Sequence, residues 1–350
     1  MRAAVFDRFR GPIVVREVAE PACPDDGVIV EVKACGVCRS DWHGWTGADS
    51  DVTAPHVPGH ELAGVIIATG PKVRAFGNGD RVTVPFIVAC GDCAECRGGD
   101  PTICDHQHVV GFSGWGAFAE RIAIPRADFN LVRVPDAINF TAAAALGCRM
   151  TTAFRALVDR AELRDGEWLA VHGCGGAGLS AIMIGAALGA RIIAVDVNEA
   201  ALALAHDLGA ERSINPAKEK AAVGTAIRDF SGGGAHVSLD ALGITATFHN
   251  SIAGLRKLGR HVQIGLPLGE HARPTVPLLD AVYSRQISIL GTRGIAAKRF
   301  PALLEMIAAG MIDPLRLVTK RIGLEGAGAA LAAMDGFSGS GITVIEMGTC

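Results

Sequence analysis

A glycine-rich turn near the middle of the chain restricts the possible folds more than any other feature of the sequence. The apolar run Trp168–His172 is typical of a buried strand, and it leads directly into Gly-Cys-Gly-Gly-Ala-Gly at 173–178. The helical stretch Leu179–Leu188 and a second strand-like run, Arg191–Asp196, follow. Strands that alternate with helices form a parallel sheet with helices on both faces. We therefore predict an α/β domain of the doubly wound, Rossmann type.

The same turn has the spacing of a dinucleotide-binding site. Its glycines, Gly173, Gly175, Gly176 and Gly178, let the backbone approach a pyrophosphate, which rests on the N-terminus of the next helix. Asp196 lies 18 residues after Gly178, at the end of the following strand. A carboxylate in this place binds ribose hydroxyls and repels a 2′-phosphate, and none of the next three residues is an arginine. The sequence therefore favours NAD over NADP.

Residues 1–149 have a different sequence pattern. Short apolar runs, such as Val28–Lys33, Leu62–Ala68 and Phe118–Ile124, are separated by Gly, Pro and Asp turns, which indicates a β-rich region. The chain has 350 residues. A domain usually has about 100 to 200 residues, so two domains are expected. A helix at Lys298–Ala309 and a strand at Ile342–Glu346 are predicted near the end of the chain.

Composition and charge exclude several classes of protein. The 33 basic and 36 acidic residues give a net charge of −3 without a basic block, which disfavours a nucleic-acid-binding protein. No run of about 18 apolar residues occurs, so no membrane span is expected. Charges interrupt the N-terminal segment early, unlike in a signal peptide. We expect a soluble, cytoplasmic protein without nucleic-acid or membrane partners.

Four of the ten cysteines lie close together, at Cys90, Cys93, Cys96 and Cys104. Thiolates are soft, charged ligands, and four of them form a closed tetrahedral shell around Zn²⁺. Such an ion has no open coordination position, so it would be structural. Disulfides and free thiols are the alternatives. Disulfides are rare in the cytoplasm, however, and clustered cysteines there indicate a metal first.

Three separated elements could form a second metal site. They are Gly-Val-Cys-Arg-Ser-Asp-Trp-His at 36–43, Gly-His-Glu at 59–61, and Cys148. A lone histidine or cysteine is most often an ordinary core or surface residue. Two cysteines and one histidine together could bind a zinc ion with one position open, which is the pattern of a catalytic zinc.

These segments, the four-cysteine lobe and the glycine-rich turn resemble, in their order along the chain, the zinc-containing alcohol dehydrogenases of the medium-chain dehydrogenase/reductase superfamily. The resemblance covers nearly the whole chain, and the compact length is similar to that of the tetrameric microbial members. It implies a GroES-like, β-rich catalytic domain at 1–149 and 293–350, and a Rossmann coenzyme domain at 150–292. It also implies one structural and one catalytic zinc ion per chain, NAD as coenzyme, and a homotetramer or homodimer.

The resemblance implies roles for the residues of the dispersed site. Cys38, His60 and Cys148 would bind the catalytic zinc, and Glu61 would lie behind these ligands or bind the ion transiently. A zinc ion lowers the pKa of a bound hydroxyl. The zinc-bound alkoxide would then pass a hydride to nicotinamide C4 and give an aldehyde or a ketone in a reversible reaction.

Two residues near Cys38 would carry the released proton. By resemblance, Ser40 would hydrogen-bond the substrate oxygen, and His43 would end a relay that runs through the ribose hydroxyls of the coenzyme. Histidine suits this task because its ordinary pKa is close to neutral pH. An exposed loop histidine is the alternative interpretation for His43. Arg39 would contact the coenzyme pyrophosphate.

The resemblance also extends to the coenzyme site. Thr152, Ala177 and Ile264 would flank the nicotinamide. Members of the family commonly carry an arginine in the last strand that contacts the pyrophosphate, and here Ile342 stands in its place. One charge-assisted contact to the coenzyme is therefore expected to be missing.

The substrate pocket is the least specified part of the sequence. By their positions relative to the ligands, the candidates for its lining are Trp42, Val57, Phe86 and Trp115. A polyol or aldehyde dehydrogenase of the same superfamily is the nearest alternative, although polyol enzymes usually replace the third zinc ligand, here Cys148. A fold member without catalysis is a further alternative. The alcohol and the roles of Arg149 and Arg293 stay open.

Overall fold

The computed structural model describes residues 1–336 and 339–348. The chain divides into two compact units. The first comprises Met1–Thr151 and Gly294–Cys350, and the second comprises Thr152–Arg293. No helix in the described ranges is both long enough and apolar enough to cross a membrane.

Strands dominate the first unit, and strands alternate with helices in the second. The strands, in chain order, are β1 (Arg2–Phe6), β2 (Ile13–Glu17), β3 (Val28–Val37), β4 (Glu61–Thr69), β5 (Arg81–Thr83), β6 (Ile87–Val88), β7 (His108–Val109), β8 (Arg121–Ile124), β9 (Val132–Arg133), β10 (Trp168–His172), β11 (Arg191–Val195), β12 (Arg212–Ile214), β13 (Ala235–Asp240), β14 (Leu255–Gln263), β15 (Ser288–Gly291), β16 (Val318–Ile322) and β17 (Ile342–Glu346). The α-helices are α1 (Arg39–Thr46), α2 (Ala94–Gly98), α3 (Ala127–Asn130), α4 (Phe140–Ala145), α5 (Thr151–Phe154), α6 (Gly176–Ala187), α7 (Glu199–Asp207), α8 (Val223–Ser231), α9 (Thr245–Gly254), α10 (Phe300–Ala308) and α11 (Ala327–Ala332).

The first unit is built on a mostly antiparallel sheet. Its strands lie in the order β16-β17-β3-β4-β5-β9, and β8 also pairs with β3. The central strand β3 is buried along most of its length, because it crosses a core that includes the fully buried side chains of Phe6, Leu62 and Phe118. The alternation of short apolar runs and turns in the sequence thus gives the β-rich fold that we expected.

The second unit contains a six-stranded parallel sheet in the order β12-β11-β10-β13-β14-β15. The strand order reverses between β10 and β13, so the carboxyl ends of these strands border the crevice in which such sheets bind ligands. The prediction of a doubly wound α/β fold is confirmed. Helix α6 begins at Gly176, earlier than the sequence pattern indicated, because the glycine-rich turn itself supplies the first residues of the helix.

Candidate active site

Four side chains with metal-binding atoms lie together in the first unit. The ligand atoms of Cys38, His60, Glu61 and Cys148 all lie within 4.8 Å of one another. Pairing of β3 with β4 brings three of them together, because Cys38 follows β3, while His60 and Glu61 stand at the start of β4. Cys148 reaches the same place from a π-helical stretch at Leu146–Met150. The three segments selected from the sequence are thus brought to one point.

Asp41 orients the histidine of this cluster. Its Oδ1 lies 2.7 Å from His60 Nδ1 and accepts a hydrogen bond from Gly59 N at 3.0 Å, and its Oδ2 accepts one from Cys38 N at 2.8 Å. The ring therefore carries its proton on Nδ1. His60 Nε2 is buried and has no hydrogen-bond partner within the described ranges, so its lone pair is available to a metal. Two thiolates and one imidazole fit a zinc ion with an open position.

Asp41 had no predicted role. It stands three residues after Cys38, in the first turn of α1, where its carboxylate and the Cys38 backbone form part of the helix cap. That spacing was the available signal. The need for a carboxylate became visible only once β3 and β4 were paired, because the partner histidine comes from the other strand.

Arg149, whose role was left open, forms a buried ion pair with Glu61. Its Nε donates to Glu61 Oε1 at 3.1 Å, its Nη2 contacts Oε2, and its Nη1 donates to Val37 O at 3.0 Å. Glu61 Oε1 also accepts from Cys148 N at 2.8 Å. Burial raises the pKa of Glu61 to about 7, and the charge of Arg149 opposes this rise. These contacts hold Glu61 behind the cysteine and histidine ligands.

The path of the chain at Gly147 depends on the absence of a side chain. A Cβ atom at this position would lie 2.4 Å from Cβ and Cγ of Glu61. The backbone of Gly147 also departs from helical geometry, with φ 14° and ψ −138°. The glycine therefore lets Cys148 approach Glu61, and a larger residue would separate them.

The four-cysteine lobe forms a second group of ligand atoms. The sulfur atoms of Cys90, Cys93, Cys96 and Cys104 lie within 4.8 Å of one another. Cys90 Sγ and Cys96 Sγ are 3.9 Å apart, and Cys93 Sγ and Cys104 Sγ are 3.7 Å apart, far longer than an S–S bond of about 2.05 Å. Backbone amides donate to Cys90 Sγ and Cys104 Sγ at 3.3–3.4 Å. Four sulfur atoms at these separations fit a closed site for zinc rather than a pair of disulfides.

The glycine-rich turn has the geometry that a dinucleotide requires. Gly173 has a φ of +91°, which favours glycine, and a Cβ on Gly178 would lie 1.8 Å from Gly173 O. Gly175 caps α6. Asp196 follows β11 directly, and its Oδ2 accepts from Cys174 N at 2.6 Å. The carboxylate therefore stands beside the turn, as the sequence analysis expected.

Known protein families and individual relatives match this chain over most of its length. The family model described as alcohol dehydrogenase GroES-like domain matches residues 24–136, and the model described as zinc-binding dehydrogenase matches residues 176–309. An alcohol dehydrogenase from Geobacillus stearothermophilus is 35% identical over 318 residues, which make up 90% of this chain and 91% of that protein. The chain belongs to the zinc-binding alcohol dehydrogenases of the medium-chain superfamily. An alcohol dehydrogenase from Rhizobium meliloti is 34% identical and covers 84% of this chain and 85% of its own length.

Solved structures of alcohol dehydrogenases share the fold of this chain. The alcohol dehydrogenase from Thermus sp. ATN1 has a TM-score of 0.91 and 29% sequence identity, and the match covers 99% of this chain and 100% of that one. An NAD-dependent alcohol dehydrogenase has a TM-score of 0.89, with the same identity and coverage. The expected resemblance is confirmed, and with it the combination of a GroES-like and a Rossmann-type fold.

Ser40 and His43 lie one turn apart on α1 of this dehydrogenase. Ser40 Oγ is 3.8 Å from Cys38 Sγ, so the hydroxyl stands at the metal-binding group. His43 is half-buried, and its Nδ1 has no hydrogen-bond partner in the described part of the chain. Burial lowers the pKa of His43, and the charge of Arg39 lowers it further. The imidazole is therefore neutral near pH 7 and can accept a proton.

Two phenylalanines enclose the imidazole of His60. The ring of Phe86 stands edge-on to it with centroids 5.8 Å apart, and the ring of Phe112 does so at 5.2 Å. Phe86 was expected near the substrate, and Phe112 was missed because it lies in a turn without a recognisable motif. Val57, another candidate, is fully buried in the core of the first unit.

The two tryptophan candidates are held by polar contacts. Trp42 Nε1 donates to Asp335 Oδ1 at 2.7 Å, and the guanidinium of Arg39 lies 3.7 Å from the centroid of the Trp42 ring. Arg39 also donates to Met334 O. Trp115 is 43% exposed, and its Nε1 donates to Pro55 O at 3.2 Å. A pocket role for these two side chains therefore stays a prediction.

The remaining sequence-predicted coenzyme residues are distributed over both units. In the second unit, Thr152 is buried in α5, Ala177 lies in the first turn of α6, and Ile264 follows β14. In the first unit, Ile342 is fully buried in β17, so it contributes to the core. The carbonyl of Arg293 accepts from Arg155 at 3.3 Å.

Proposed function

We propose that this chain oxidises a small alcohol to an aldehyde or a ketone, reversibly, with NAD as the hydride acceptor. The observation that carries the proposal is the convergence of Cys38, His60 and Cys148, with the free Nε2 of His60 directed into the cluster. Three protein ligands leave one position for a substrate oxygen. The shared fold and the alcohol dehydrogenase relatives support the same reaction.

The residues of the first unit would have two tasks, which are metal binding and proton transfer. Cys38, His60 and Cys148 would hold the zinc ion, which supplies Lewis acidity that lowers the pKa of the alcohol hydroxyl. Ser40, whose Oγ lies 3.8 Å from Cys38 Sγ, would accept the hydroxyl proton while it passes its own proton to the ribose hydroxyls of the coenzyme. His43 then accepts a proton because burial keeps its imidazole neutral. A chain of this kind lets the proton leave a site from which water is excluded.

The residues of the second unit bind the coenzyme. The turn at Gly173–Gly178 accommodates the pyrophosphate at the N-terminus of α6, and the nicotinamide accepts the hydride when it is bound. Asp196 binds the ribose hydroxyls and repels a 2′-phosphate, so we propose NAD rather than NADP. A solved neighbour with 29% identity is an NAD-dependent alcohol dehydrogenase.

The test is a panel of primary, secondary and aromatic alcohols, polyols and aldehydes, assayed with NAD and NADP by the absorbance of the reduced coenzyme. Cys38→Ala is expected to abolish turnover and to remove one of the two zinc ions expected per chain. Cys35→Ala is the matched control, because Cys35 is a buried free cysteine on β3, three residues before Cys38 and outside the ligand cluster. Full turnover by the Cys38 variant, or by a metal-free preparation, would contradict the proposal.

We also propose that the protein is a cytoplasmic homotetramer or homodimer. The nine described cysteines are free, which suits a reducing compartment. Strand β15 lies at the edge of its sheet, and exposed apolar side chains occur on it and on the segment before it, namely Leu278, Leu279, Tyr283 and Ile289. Unpaired edges and apolar patches of this kind favour association. Sedimentation equilibrium that returns the monomer mass of 36.2 kDa would contradict the assembly.

A further inference from the structure

A row of buried polar side chains runs through the parallel sheet beneath α9. We name it the polar row: Ser238 and Asp240 of β13, His261 and Gln263 of β14, and Ser251 of α9. Ser238, Asp240, Ser251 and His261 are fully buried. Strands of a parallel sheet that is covered on both faces are usually almost entirely apolar. A row of this kind must therefore hydrogen-bond within itself, and it restricts the elements that carry it.

The hydrogen bonds of the polar row fix where its protons lie. Gln263 Nε2 lies 3.1 Å from Asp240 Oδ2 and donates to it, so Gln263 Oε1 faces His261 Nε2 at 3.2 Å and must accept. The proton of His261 is therefore on Nε2. Its bare Nδ1 accepts from the Ser251 hydroxyl at 2.7 Å, and Ser251 Oγ lies 2.7 Å from Ser238 Oγ. Each amide and ring has one orientation that satisfies the row.

Hydrogen bonds to Asp240 fix the loop that follows β13. Its Oδ1 accepts from Leu242 N at 2.9 Å, from Gly243 N at 3.0 Å and from Thr247 Oγ1 at 2.9 Å. The charge of a buried carboxylate is thus stabilised by donors from its own loop and from α9. Removal of one donor would leave an unsatisfied buried acceptor, which is costly.

Asp240 and Gln263 also fasten the loop that follows β14. The carbonyl of Asp240 accepts from Ile264 N at 3.0 Å and from Gly265 N at 2.8 Å, and Gln263 Nε2 donates to Gly265 O at 2.8 Å. The two loops touch, since a Cβ on Gly265 would lie 2.3 Å from Gly243 N. Gln263 therefore joins the two loops through its single amide group.

These loops border the crevice at the reversal of strand order. Asp240 is in register with His172, the last residue before the glycine-rich turn, and Ala241 N donates to His172 O at 2.9 Å. A Cβ on Gly173 would lie 3.4 Å from Leu242 Cβ. The loop after β13 therefore packs against the turn that would hold the pyrophosphate.

We propose that Gln263 is a positioning residue for the nicotinamide half of the coenzyme. It acts through Ile264 and the loop Ala241–Gly243, whose backbone it fixes against Asp240. The adenosine half is held mainly by Asp196 and the glycine-rich turn, whereas the hydrogen bonds of Gln263 go to Asp240, His261 and Gly265. This inference rests on the proposed coenzyme function. Its consequence is that loss of the Gln263 amide weakens binding of the whole dinucleotide and leaves its ADP-ribose portion unaffected.

The experiment measures the Kd of NADH and of ADP-ribose with the zinc-replete protein by calorimetry. Gln263→Leu keeps the side-chain volume and removes the amide. We expect it to weaken NADH about tenfold, the effect of roughly one lost hydrogen bond on an ordered loop, and to change ADP-ribose binding less than about twofold. Gln286→Leu is the matched control, because Gln286 is an exposed residue of the same unit that precedes β15, and both constants should stay unchanged.

Gln263→Glu tests whether coenzyme binding can be restored by protonation of the side chain. A carboxyl group at 263 would face Asp240 Oδ2 and Gly265 O, both acceptors, so its protonated form, which has one O–H donor, restores one of the two contacts and its ionised form restores neither. His261 and His172 also face this region, and burial lowers the pKa of both, so they stay neutral. The ratio of the two Kd values should therefore move toward that of the wild type as the pH is lowered and away from it as the pH is raised.

Two results would overturn the inference. Equal weakening of NADH and ADP-ribose in Gln263→Leu, with wild-type binding intact, would show that the amide only supports the fold of the unit. A pH-independent ratio in Gln263→Glu would exclude the hydrogen bond to Asp240 as the cause. Wild-type protein that binds neither ligand would instead refute the proposed coenzyme, and the positioning role with it.

Discussion

Replacement of Arg149 by methionine leaves the buried carboxylate of Glu61 without its cation. Arg149 Nε lies 3.1 Å from Glu61 Oε1, and the two side chains are 9% and 0% exposed. With an effective dielectric constant of about 20, opposite charges at this distance attract each other by about 5 kcal/mol. Breaking one partner of a buried pair costs about 3–5 kcal/mol. At a pH above the Glu61 pKa of about 7, where the carboxylate is charged, we therefore expect Arg149→Met to lower the free energy of unfolding of the first unit by about 3–5 kcal/mol.

Urea unfolding followed by tryptophan fluorescence measures this loss. The first unit contains Trp42, Trp45 and Trp115, so most of the signal from the four tryptophans comes from it. Arg16→Met is the matched control, because Arg16 pairs with Asp7 at 2.6 Å on the surface. Exposed pairs contribute about 0–1 kcal/mol.

The double variant Glu61→Gln, Arg149→Met separates charge from packing. It removes both charges and retains an amide oxygen for Cys148 N. Its free energy of unfolding should therefore lie within about 2 kcal/mol of that of the wild type. The reasoning is refuted if Arg149→Met behaves like the surface control. It is also refuted if the double variant is less stable than Arg149→Met, because the uncompensated charge would then not be the cause.

Three further predictions concern other sites. Asp41→Ala should weaken zinc at the cluster by about 10- to 100-fold in chelator competition, since it removes the carboxylate that orients His60; a change below about threefold would contradict this role. Burial lowers the pKa of His172 to about 3, below the value of about 6.5 expected in the unfolded chain. The unfolded chain therefore binds more protons between these values, and stability falls as pH falls through this window. The urea midpoint of His172→Leu should differ less between about pH 7.5 and pH 5 than that of the wild type does. An equal difference in both proteins would contradict this role of His172. Asp196→Asn should raise the ratio of kcat/KM for NADP to that for NAD by about tenfold or more, because it removes the charge that repels a 2′-phosphate. An unchanged ratio would show that other residues determine the selectivity for NAD.

Features that are local in the chain could be predicted from the sequence. The four cysteines of the lobe and the glycine-rich turn lie within short segments, so spacing alone indicated their geometry. The roles of Asp41 and Arg149 could not be predicted, because each depends on a partner from another strand. The polar row was missed for the same reason. Ser238 and His261 lie on different strands, and only the register of β13 with β14 shows that they are neighbours.

The four-cysteine lobe has little apolar core of its own. Ala89 and the cysteines themselves make up its buried cluster, and Gly91 and Gly99 adopt left-handed backbone conformations with φ +88° and +99°. Without a metal, the cysteines would be neutral thiols, since burial raises the pKa of Cys96 to about 12, and few other contacts would compensate for the loss of chain entropy. We therefore expect zinc starvation to expose this segment to proteases first. The supply of zinc would then determine how long the protein persists in the cell, as well as how fast it works.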